Sequence, residues 1–219
     1  MNRDGYGTNM PEPIAPVVLS GALCVLRPLT TDDVTALIAA ASGDRSSFAY
    51  TWVPEPTADD VADYIALALA DHRSGHGLTF ATCARDGTVV GSTRFMNAEY
   101  WTTPNRRMRD SSDPDAIEIG STWLCPAAQR TGINTEAKQM MLSHAFDTLG
   151  VRRVTIKTDA RNQVSRAAIE RIGARLDGVL RAHMRATDGT ERDSAWYSIV
   201  AAEWPSVNAR LTTLLDRHR

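Results

Sequence analysis

The stretch Gln129-Arg130-Thr131-Gly132-Ile133-Asn134-Thr135-Glu136-Ala137 is the most informative part of this chain. It follows a strand-like run that ends Trp123-Leu124-Cys125-Pro126, and it leads into an amphipathic helical run. The first backbone N–H groups of a helix have no partner within the helix, and the helix dipole adds partial positive charge beside them. A strand, a tight turn and a helix therefore predict a site for an anion such as phosphate. Arg130 would add a full positive charge.

The rest of the chain mixes the periods of strands and helices. Predicted strands cover 23–28, 78–83, 89–95, 116–124 and 153–157, with two closing strands around Asp188-Gly189. Predicted helices cover about 31–41, 57–75, 135–149 and 164–172, with a short one from Glu203. A strand, helix, strand unit is parallel and right-handed, which applies to 116–157. The pattern predicts an α/β (α+β) fold: a mixed, mostly antiparallel sheet of six or seven strands with helices on both faces.

Bulk properties favour one globular domain. The chain has 219 residues, of which 43% are hydrophobic, and this composition is sufficient for a core. We expect a flexible leader at residues 1–16, which contains Gly5, Gly7, Pro11, Pro13 and Pro16, and a single domain at 17–219. The net charge of −2 and the pI near 6.2 argue against a protein that coats duplex DNA, so nucleic acid is an unlikely partner.

The cysteines and histidines predict neither disulfides nor a metal site. Cys24, Cys83 and Cys125 lie in strand-like apolar runs, as buried reduced thiols do, and this favours a cytoplasmic location. His72 and His76 are four residues apart, but no third ligand accompanies them. The sequence contains neither a run of about 18 apolar residues that would predict a membrane span nor the pattern of a signal peptide.

The segment that begins with Gln129-Arg130 resembles the Gln/Arg-x-x-Gly-x-Gly/Ala loop of the GCN5-related N-acetyltransferases (GNAT), which bind the diphosphate of acetyl-coenzyme A (CoA). Asn134 departs from the pattern, because the family usually has Gly or Ala there. The resemblance implies a cofactor-binding segment made of these residues: Gln129, Arg130, Thr131, Gly132, Ile133, Asn134 and Thr135.

Downstream motifs resemble the branch of this family that acetylates ribosomal-protein N-termini (the RimJ/RimL type). The matching pieces are Asn162-x-x-Ser165, Gly173, Gly178-Val179-Leu180-Arg181, Asp188-Gly189, Tyr197-Ser198 and Glu203-Trp204. The resemblance extends roughly from Leu23 to Pro205. It implies that the fourth and fifth strands of the family fold splay apart around the acyl-pantetheine arm. Because Pro126 cannot donate to a strand ladder, we expect pairing to fail just after Cys125.

The implied chemistry moves an acyl group from a thioester to an amine, which must first lose a proton. Glu118 is the candidate base, because strand alternation places it with Gly120 on the face opposite Ile117 and Ile119. The alternative is a solvated or salt-bridged glutamate. The resemblance also implies that backbone N–H groups near Trp123 and Leu124 stabilise the oxyanion.

The thiolate that leaves needs a hydrogen bond or a weak acid. The family usually supplies a tyrosine, but Ile169 stands in its place, so Ser165 is the candidate. The alternative is a serine that bonds only backbone groups in the first turn of its helix. Asn162 is expected either to bridge the amides of the cofactor and the helix or simply to cap the helix.

Two loops are candidates for the acceptor side. Residues 97–115, which include Arg106, Arg107 and Arg109, form an insertion that we interpret as a lid, a subunit contact or a solvated loop. The aromatic segment 48–54 is interpreted as an acceptor wall or as core packing.

The leading hypothesis is an acyl-CoA-dependent N-acyltransferase, with acetyl-CoA as the default donor and succinyl-CoA as another option. The acceptor is the primary amine of a protein N-terminus, a lysine, a polyamine or an aminoglycoside-like drug, and a cationic drug would favour an acidic pocket. A homo-oligomer is expected. A competing hypothesis is an acyl-CoA sensor without turnover, and a weaker one has the arginine-rich loop contacting RNA.

Overall fold

A computed structural model describes residues 14–101 and 113–218. The strands of these residues are β1 (Leu19–Ser20), β2 (Cys24–Pro28), β3 (Gly77–Ala84), β4 (Val89–Glu99), β5 (Ala116–Leu124), β6 (Arg153–Asp159), β7 (Arg175–Arg185) and β8 (Glu191–Val200). The α-helices are α1 (Val34–Ala41), α2 (Ala58–Arg73), α3 (Ile133–Ser143), α4 (Gln163–Arg171) and α5 (Trp204–Leu215).

The strands form one sheet in the order β1-β2-β3-β4-β5-β6-β8-β7. Only the β5–β6 pair is parallel, and α3 connects these two strands. The mixed, mostly antiparallel α/β fold predicted from the sequence is therefore confirmed. The sheet has eight strands rather than six or seven, because the two residues of β1 pair with Leu26 and Val25 of β2.

Helices cover both faces of the sheet and create two apolar cores. On one face, α3, α4 and α5 pack around Phe80, Ile117 and Ile119. On the other, α1 and α2 pack around Ala81 and Trp123. Neighbouring residues of one strand enter different cores because side chains alternate along a strand. The predicted placement of Ile117 and Ile119 on one face is confirmed.

The two parallel strands separate part of the way along their length. Their pairing ends with Glu118 opposite Thr155. The expectation that pairing lasts to Cys125 is therefore wrong for the side of β5 that faces β6. On the side that faces β4, the Cys125 N–H still donates to Val90 O at 2.7 Å. Ser121 adopts a φ of 46°, and the β4–β5 register shifts between Ser92 and Arg94. Such a bulge bends the strand, so the gap opens earlier than Pro126 suggests.

Helix α3 is shorter than predicted and is tied to the first strands. The helical run predicted to Leu149 ends at Ser143 and continues as a π-helical turn, His144–Thr148. Glu136, which is 5% exposed, accepts the backbone N–H groups of Ala22, Leu23 and Cys24 at 2.7, 2.7 and 2.8 Å. Burial and the Glu136 carboxylate raise the pKa of the Cys24 thiol, so this thiol stays protonated.

The two segments predicted to lack regular structure are only partly described. The leader lies outside the described residues as far as residue 13, whereas Ile14 is buried in the core on the α3 side. The insertion begins later than predicted, because β4 continues through Glu99, whose carbonyl accepts the Asp115 N–H at 2.7 Å. Residues 102–112, with the three arginines of the predicted lid, lie outside the described residues. Within 14–101 and 113–218, no helix has the length and apolar character needed to cross a bilayer.

Candidate active site

The loop before α3 presents backbone N–H groups. Gly132 is the N-cap residue with a left-handed φ of 91°, and Arg130 is also left-handed, with a φ of 61°. No side chain among the described residues caps α3, so the N–H groups of its first turn remain available to a ligand. Gln129 secures the loop, because its Nε2 donates to Leu124 O at 3.0 Å and to Ser47 Oγ at 2.9 Å.

Gly132 is required by contact as well as by conformation. A Cβ added there would lie 2.8 Å from Leu23 Cδ1 and 2.9 Å from His218 Cγ. No larger residue fits without displacing one of these side chains. These contacts and the left-handed φ therefore both favour glycine at the N-cap of α3.

The other predicted loop residues differ in whether their side chains are exposed or are held by contacts within the protein. Arg130 and Thr131 are exposed, and Thr131 Oγ1 also donates to Ala128 O at 2.6 Å. Ile133 is buried in the core, and Thr135 Oγ1 accepts from Arg171 Nη2 at 3.0 Å, so these two residues offer only backbone N–H groups. Asn134 Oδ1 is buried and has no hydrogen-bond partner in the described part of the chain.

The β5–β6 gap selects one of the two predicted oxyanion donors. The Cys125 N–H points to β4, and strand alternation turns the Trp123 N–H to the same side. The backbone of Leu124 faces the opposite side, where its carbonyl accepts from Gln129. The Trp123 side chain is buried against α2, and its Nε1 donates to Tyr64 Oη at 3.4 Å. The geometry thus favours the Leu124 N–H over that of Trp123.

Glu118 lies where the gap begins and is only 2% exposed. Its Oε2 accepts from Asn97 Nδ2 at 2.8 Å and from Lys157 Nζ at 2.9 Å. The salt-bridged alternative considered for Glu118 is therefore present. Within residues 14–101 and 113–218, its second oxygen, Oε1, accepts no hydrogen bond, so one oxygen of a buried carboxylate remains for another donor.

Lys157 was missed in the sequence, because alternation along a strand gives the face on which a residue lies but not its neighbours on the next strand. It lies on β6 two residues beyond Thr155, and its ammonium spans the opening gap to reach Glu118. The ammonium also lies 4.9 Å from the ring centroid of Trp196 on β8, a cation–π distance. Only knowledge that β6 is the neighbour of β5 places this lysine beside Glu118.

His183 belongs to the same group of residues. Its Nδ1 is 3.0 Å from Ser194 Oγ, and its ring meets Trp196 edge-on at 5.6 Å. Burial first, and then the charges of Lys157 and Arg192, lower the pKa of His183. The imidazole is therefore neutral at pH 7 and can accept or donate at Nε2.

The start of α4 confirms one of the two roles considered for Asn162. Its Oδ1 accepts the Ser165 N–H at 2.9 Å and so caps the helix. The Ser165 hydroxyl is half-buried and makes no hydrogen bond to any residue that the structure describes. Ile169 is buried in the core, so its position contributes no proton donor. The roles of Ser165 and Asn162 toward CoA stay predictions.

A second buried lysine lies beneath the gap. Lys138 of α3 is 6% exposed, and its Nζ donates to Thr122 Oγ1 at 2.6 Å and to Thr93 Oγ1 at 3.1 Å. Burial lowers the pKa of Lys138 to about 7. No carboxylate among the described residues pairs with it. The chain has 24 basic residues but only two lysines, 138 and 157, and both lie in the interior beside β5.

The aromatic segment 48–54 contributes to core packing, and its role as an acceptor wall stays a prediction. Phe48 and Val53 are buried in the core of α1 and α2. Trp52 is 53% exposed, and Tyr50 lies 5.2 Å beneath the guanidinium of Arg161. Because Arg161 also bonds Asp188 at 2.9 Å, this segment lies close to the β7–β8 turn.

Comparison with known proteins agrees with this geometry. The model of the acetyltransferase (GNAT) domain family matches residues 24–175. A proposed ribosomal N-acetyltransferase of Bacillus subtilis, YdaF, is 34% identical over 119 residues, which are 54% of this chain and 57% of YdaF. The chain thus matches little more than half of the length of YdaF.

Solved structures share the fold. A GCN5-related N-acetyltransferase from Brucella melitensis superposes with a TM-score of 0.77 at 29% identity, covering 94% of this chain and 87% of that one. Mycobacterium smegmatis RimJ, solved with CoA-disulfide, gives 0.72 at 24% identity, with 93% and 95% covered, and shows the fold alone. The family match extends over more than half of the chain and includes the loop, the gap and Glu118, so this chain belongs to the GNAT acetyltransferase family.

Proposed function

We propose that this protein is an N-acyltransferase that moves a short acyl group, acetyl by default, from acyl-CoA to a primary amine. One observation carries the proposal. The β5–β6 gap opens at Glu118, and the uncapped start of α3 lies just beyond the end of the same strand. An anion site, a cleft and a buried carboxylate thus follow one another along a single strand and the helix after it.

The loop fits the diphosphate of CoA. The uncapped first-turn N–H groups of α3 and the exposed Arg130 are the features that would bind a phosphorylated ligand. Asn134 presents its backbone N–H there in place of the usual Gly or Ala. When bound, acyl-CoA supplies the thioester carbonyl. Mycobacterium smegmatis RimJ, which shares the fold, was solved with CoA-disulfide.

Glu118 would prepare the amine. An alkyl ammonium has a pKa of about 10.4, so it must transfer a proton before it can attack a carbonyl carbon. Asn97 and Lys157 both donate to Oε2 of Glu118, and Oε1 remains to receive the proton directly or through water. The Leu124 N–H would stabilise the developing oxyanion. The Ser165 hydroxyl would donate a hydrogen bond to the thiolate that leaves.

The test measures release of free thiol from acetyl-CoA over a panel of amines. Glu118→Gln should reduce kcat/KM at least ~100-fold, as loss of general-base catalysis does, while calorimetry still detects CoA binding. Glu191→Gln is the matched control, because Glu191 is an exposed carboxylate at the start of β8. Equal rates for wild type and Glu118→Gln would contradict the role of Glu118.

A sensor of acyl-CoA is the second candidate. Two observations favour it. Glu118 is already paired with the Lys157 ammonium, and the buried Ile169 stands where the family usually has the tyrosine that assists the thiolate. Tight binding of acetyl-CoA without thiol release on any amine would support the sensor. Turnover that depends on Glu118 would exclude it.

Three finer points belong to the proposal. Mass spectrometry of the protein purified under gentle conditions would distinguish acetyl-CoA from succinyl-CoA as the retained donor. The cysteines are free thiols, which fits a reducing cytoplasm. A homo-oligomer through β7 is favoured because this edge strand exposes an apolar group: Leu176, Val179, Leu180 and Met184.

A further inference from the structure

One face of β8 lines the cleft beside Glu118. Ala195 and Tyr197 enter the core on the α3 side, so strand alternation turns Arg192, Ser194 and Trp196 to the opposite face. Trp196 lies directly across from Lys157 in the β6–β8 register. The residues of this face therefore surround the position where an acceptor would approach the proposed base.

Arg192 has a half-buried guanidinium without a direct counter-ion. Its Nε is buried and has no hydrogen-bond partner, and no carboxylate lies within 4.0 Å of the guanidinium in the part of the chain that the structure describes. Burial lowers the pKa of Arg192, against the opposing charges of Asp159 and Glu118. Both acids are engaged elsewhere, because Asp159 binds Arg161 at 2.8 Å and Glu118 binds Lys157.

A partly buried charge without a partner is unfavourable, and an anionic ligand would remove that cost. The surrounding charges favour the same kind of ligand. The charges of Lys157, Arg192 and Glu118 all act on the pKa of His183, so the four side chains form one cluster. Two full cations and one carboxylate face the acceptor, and this is the opposite of the acidic pocket that a polycationic amine needs.

We propose that the acceptor of this enzyme is an amine that carries a carboxylate a few bonds from its nitrogen, with the carboxylate bound by Arg192 and the amine directed to Glu118. The inference rests on the proposed function and makes it more specific. Arginine suits this role because its planar guanidinium pairs with a carboxylate through two parallel hydrogen bonds. A polyamine or an aminoglycoside would instead bring further positive charge against Lys157 and Arg192.

The experiment compares ω-amino acids from glycine to 6-aminohexanoate, each with its neutral amide and with the diamine of equal length. Thiol release from acetyl-CoA gives kcat and KM for each amine. The wild type should prefer one or more carboxylates over the matched amide by at least ~10-fold in kcat/KM, and the diamines should be the poorest.

Variants at Arg192 separate binding from folding. Arg192→Gln should remove the preference by raising KM for the carboxylates, and Arg192→Lys should retain part of it. Arg185→Gln is the matched control, because this exposed arginine belongs to the same hairpin and donates to Gly189 O. Thermal melting of each variant shows whether it folds, and Arg192→Lys tests the charge if Arg192→Gln does not fold.

The outcomes distinguish this inference from the proposed function. If amides and diamines react as fast as carboxylates, and if Arg192→Gln does not change these rates, the inference is overturned. The acyltransferase assignment would still stand. Binding of CoA without turnover of any amine would reject the catalytic proposal, and the inference with it. A preference for carboxylates that Arg192→Gln abolishes and Arg185→Gln keeps supports both.

Discussion

Replacing Lys138 by Met tests how much the burial of this ammonium beside the β5–β6 gap lowers the stability of the protein. The Lys138 ammonium is buried and, within the part of the chain that the structure describes, donates only to the hydroxyls of Thr93 and Thr122. Burial lowers its pKa from 10.5 to about 7. One pH unit of pKa difference corresponds to about 1.4 kcal/mol, so the folded state holds the charged form at a cost of about 5 kcal/mol. Met has similar length and no charge. The hydroxyls would still bond each other at 2.8 Å.

The sign of the pH dependence follows from linkage. Between pH 7 and about 10.4 the unfolded chain keeps the Lys138 proton and the folded protein does not, so the stability of the wild type should rise with pH in this window. Below pH 7 both states hold the proton and the full cost is present. Lys138→Met lacks this titration. The free energy of unfolding of Lys138→Met should therefore exceed that of the wild type most at pH 6. The difference should be about 3 kcal/mol, because the variant also loses two hydrogen bonds of ~1 kcal/mol each.

The assay is urea unfolding at pH 6, 7, 8, 9 and 10, with the free energy of unfolding compared between wild type and variant at each pH. Lys138→Arg is the control, because a guanidinium cannot lose its proton, and it should be destabilised at every pH. A difference between wild type and Lys138→Met that stays constant from pH 6 to pH 10 would refute the reasoning, since Lys138 would then not titrate in that range.

Three further substitutions have defined expectations. Gly132→Ala should weaken CoA binding in calorimetry and lower the free energy of unfolding by about 1–3 kcal/mol, because the φ of 91° and the contact with Leu23 oppose a Cβ; unchanged affinity would argue against this loop as the diphosphate site. Glu136→Ala should cost about 3 kcal/mol or more in chemical denaturation, since three backbone N–H groups lose their acceptor; a loss below 1 kcal/mol would mean that water replaces it. Leu180→Glu should reduce the mass seen by light scattering to that of a monomer if β7 forms the interface, and a wild type that is already monomeric would dismiss the oligomer.

The loop before α3, which we propose as the diphosphate site, was predictable because its signal is local. A glycine between a strand and an amphipathic helix defines the turn, and the exposed N–H groups follow from helix geometry whatever the rest of the chain does. The capping role of Asn162 and the placement of Glu118 away from Ile117 and Ile119 are local in the same sense. Each depends on residues within a few positions, where periodicity is informative.

The position of the gap and the partners of Glu118 depended on contacts between distant segments. The bulge at Ser121 arises from the register of β5 against β4, and the pairing of Lys157 with Glu118 requires β5 and β6 to be neighbours. Arg192 lies on the same side of the sheet, near Lys157, only because β8 pairs with β6, although β7 lies between these two strands in the sequence.

The sequence by itself determined the class of fold, the uncapped N–H groups at the start of α3 and the face on which Glu118 lies, because propensity and alternation act over a few residues. Only the tertiary structure decided that Glu118 is bound to Lys157, that Lys138 is buried with no carboxylate of the described residues beside it, and that Arg192 lies on the same face of the sheet as Lys157. Charges act through space, and the pairing of strands from distant parts of the chain sets which charges meet.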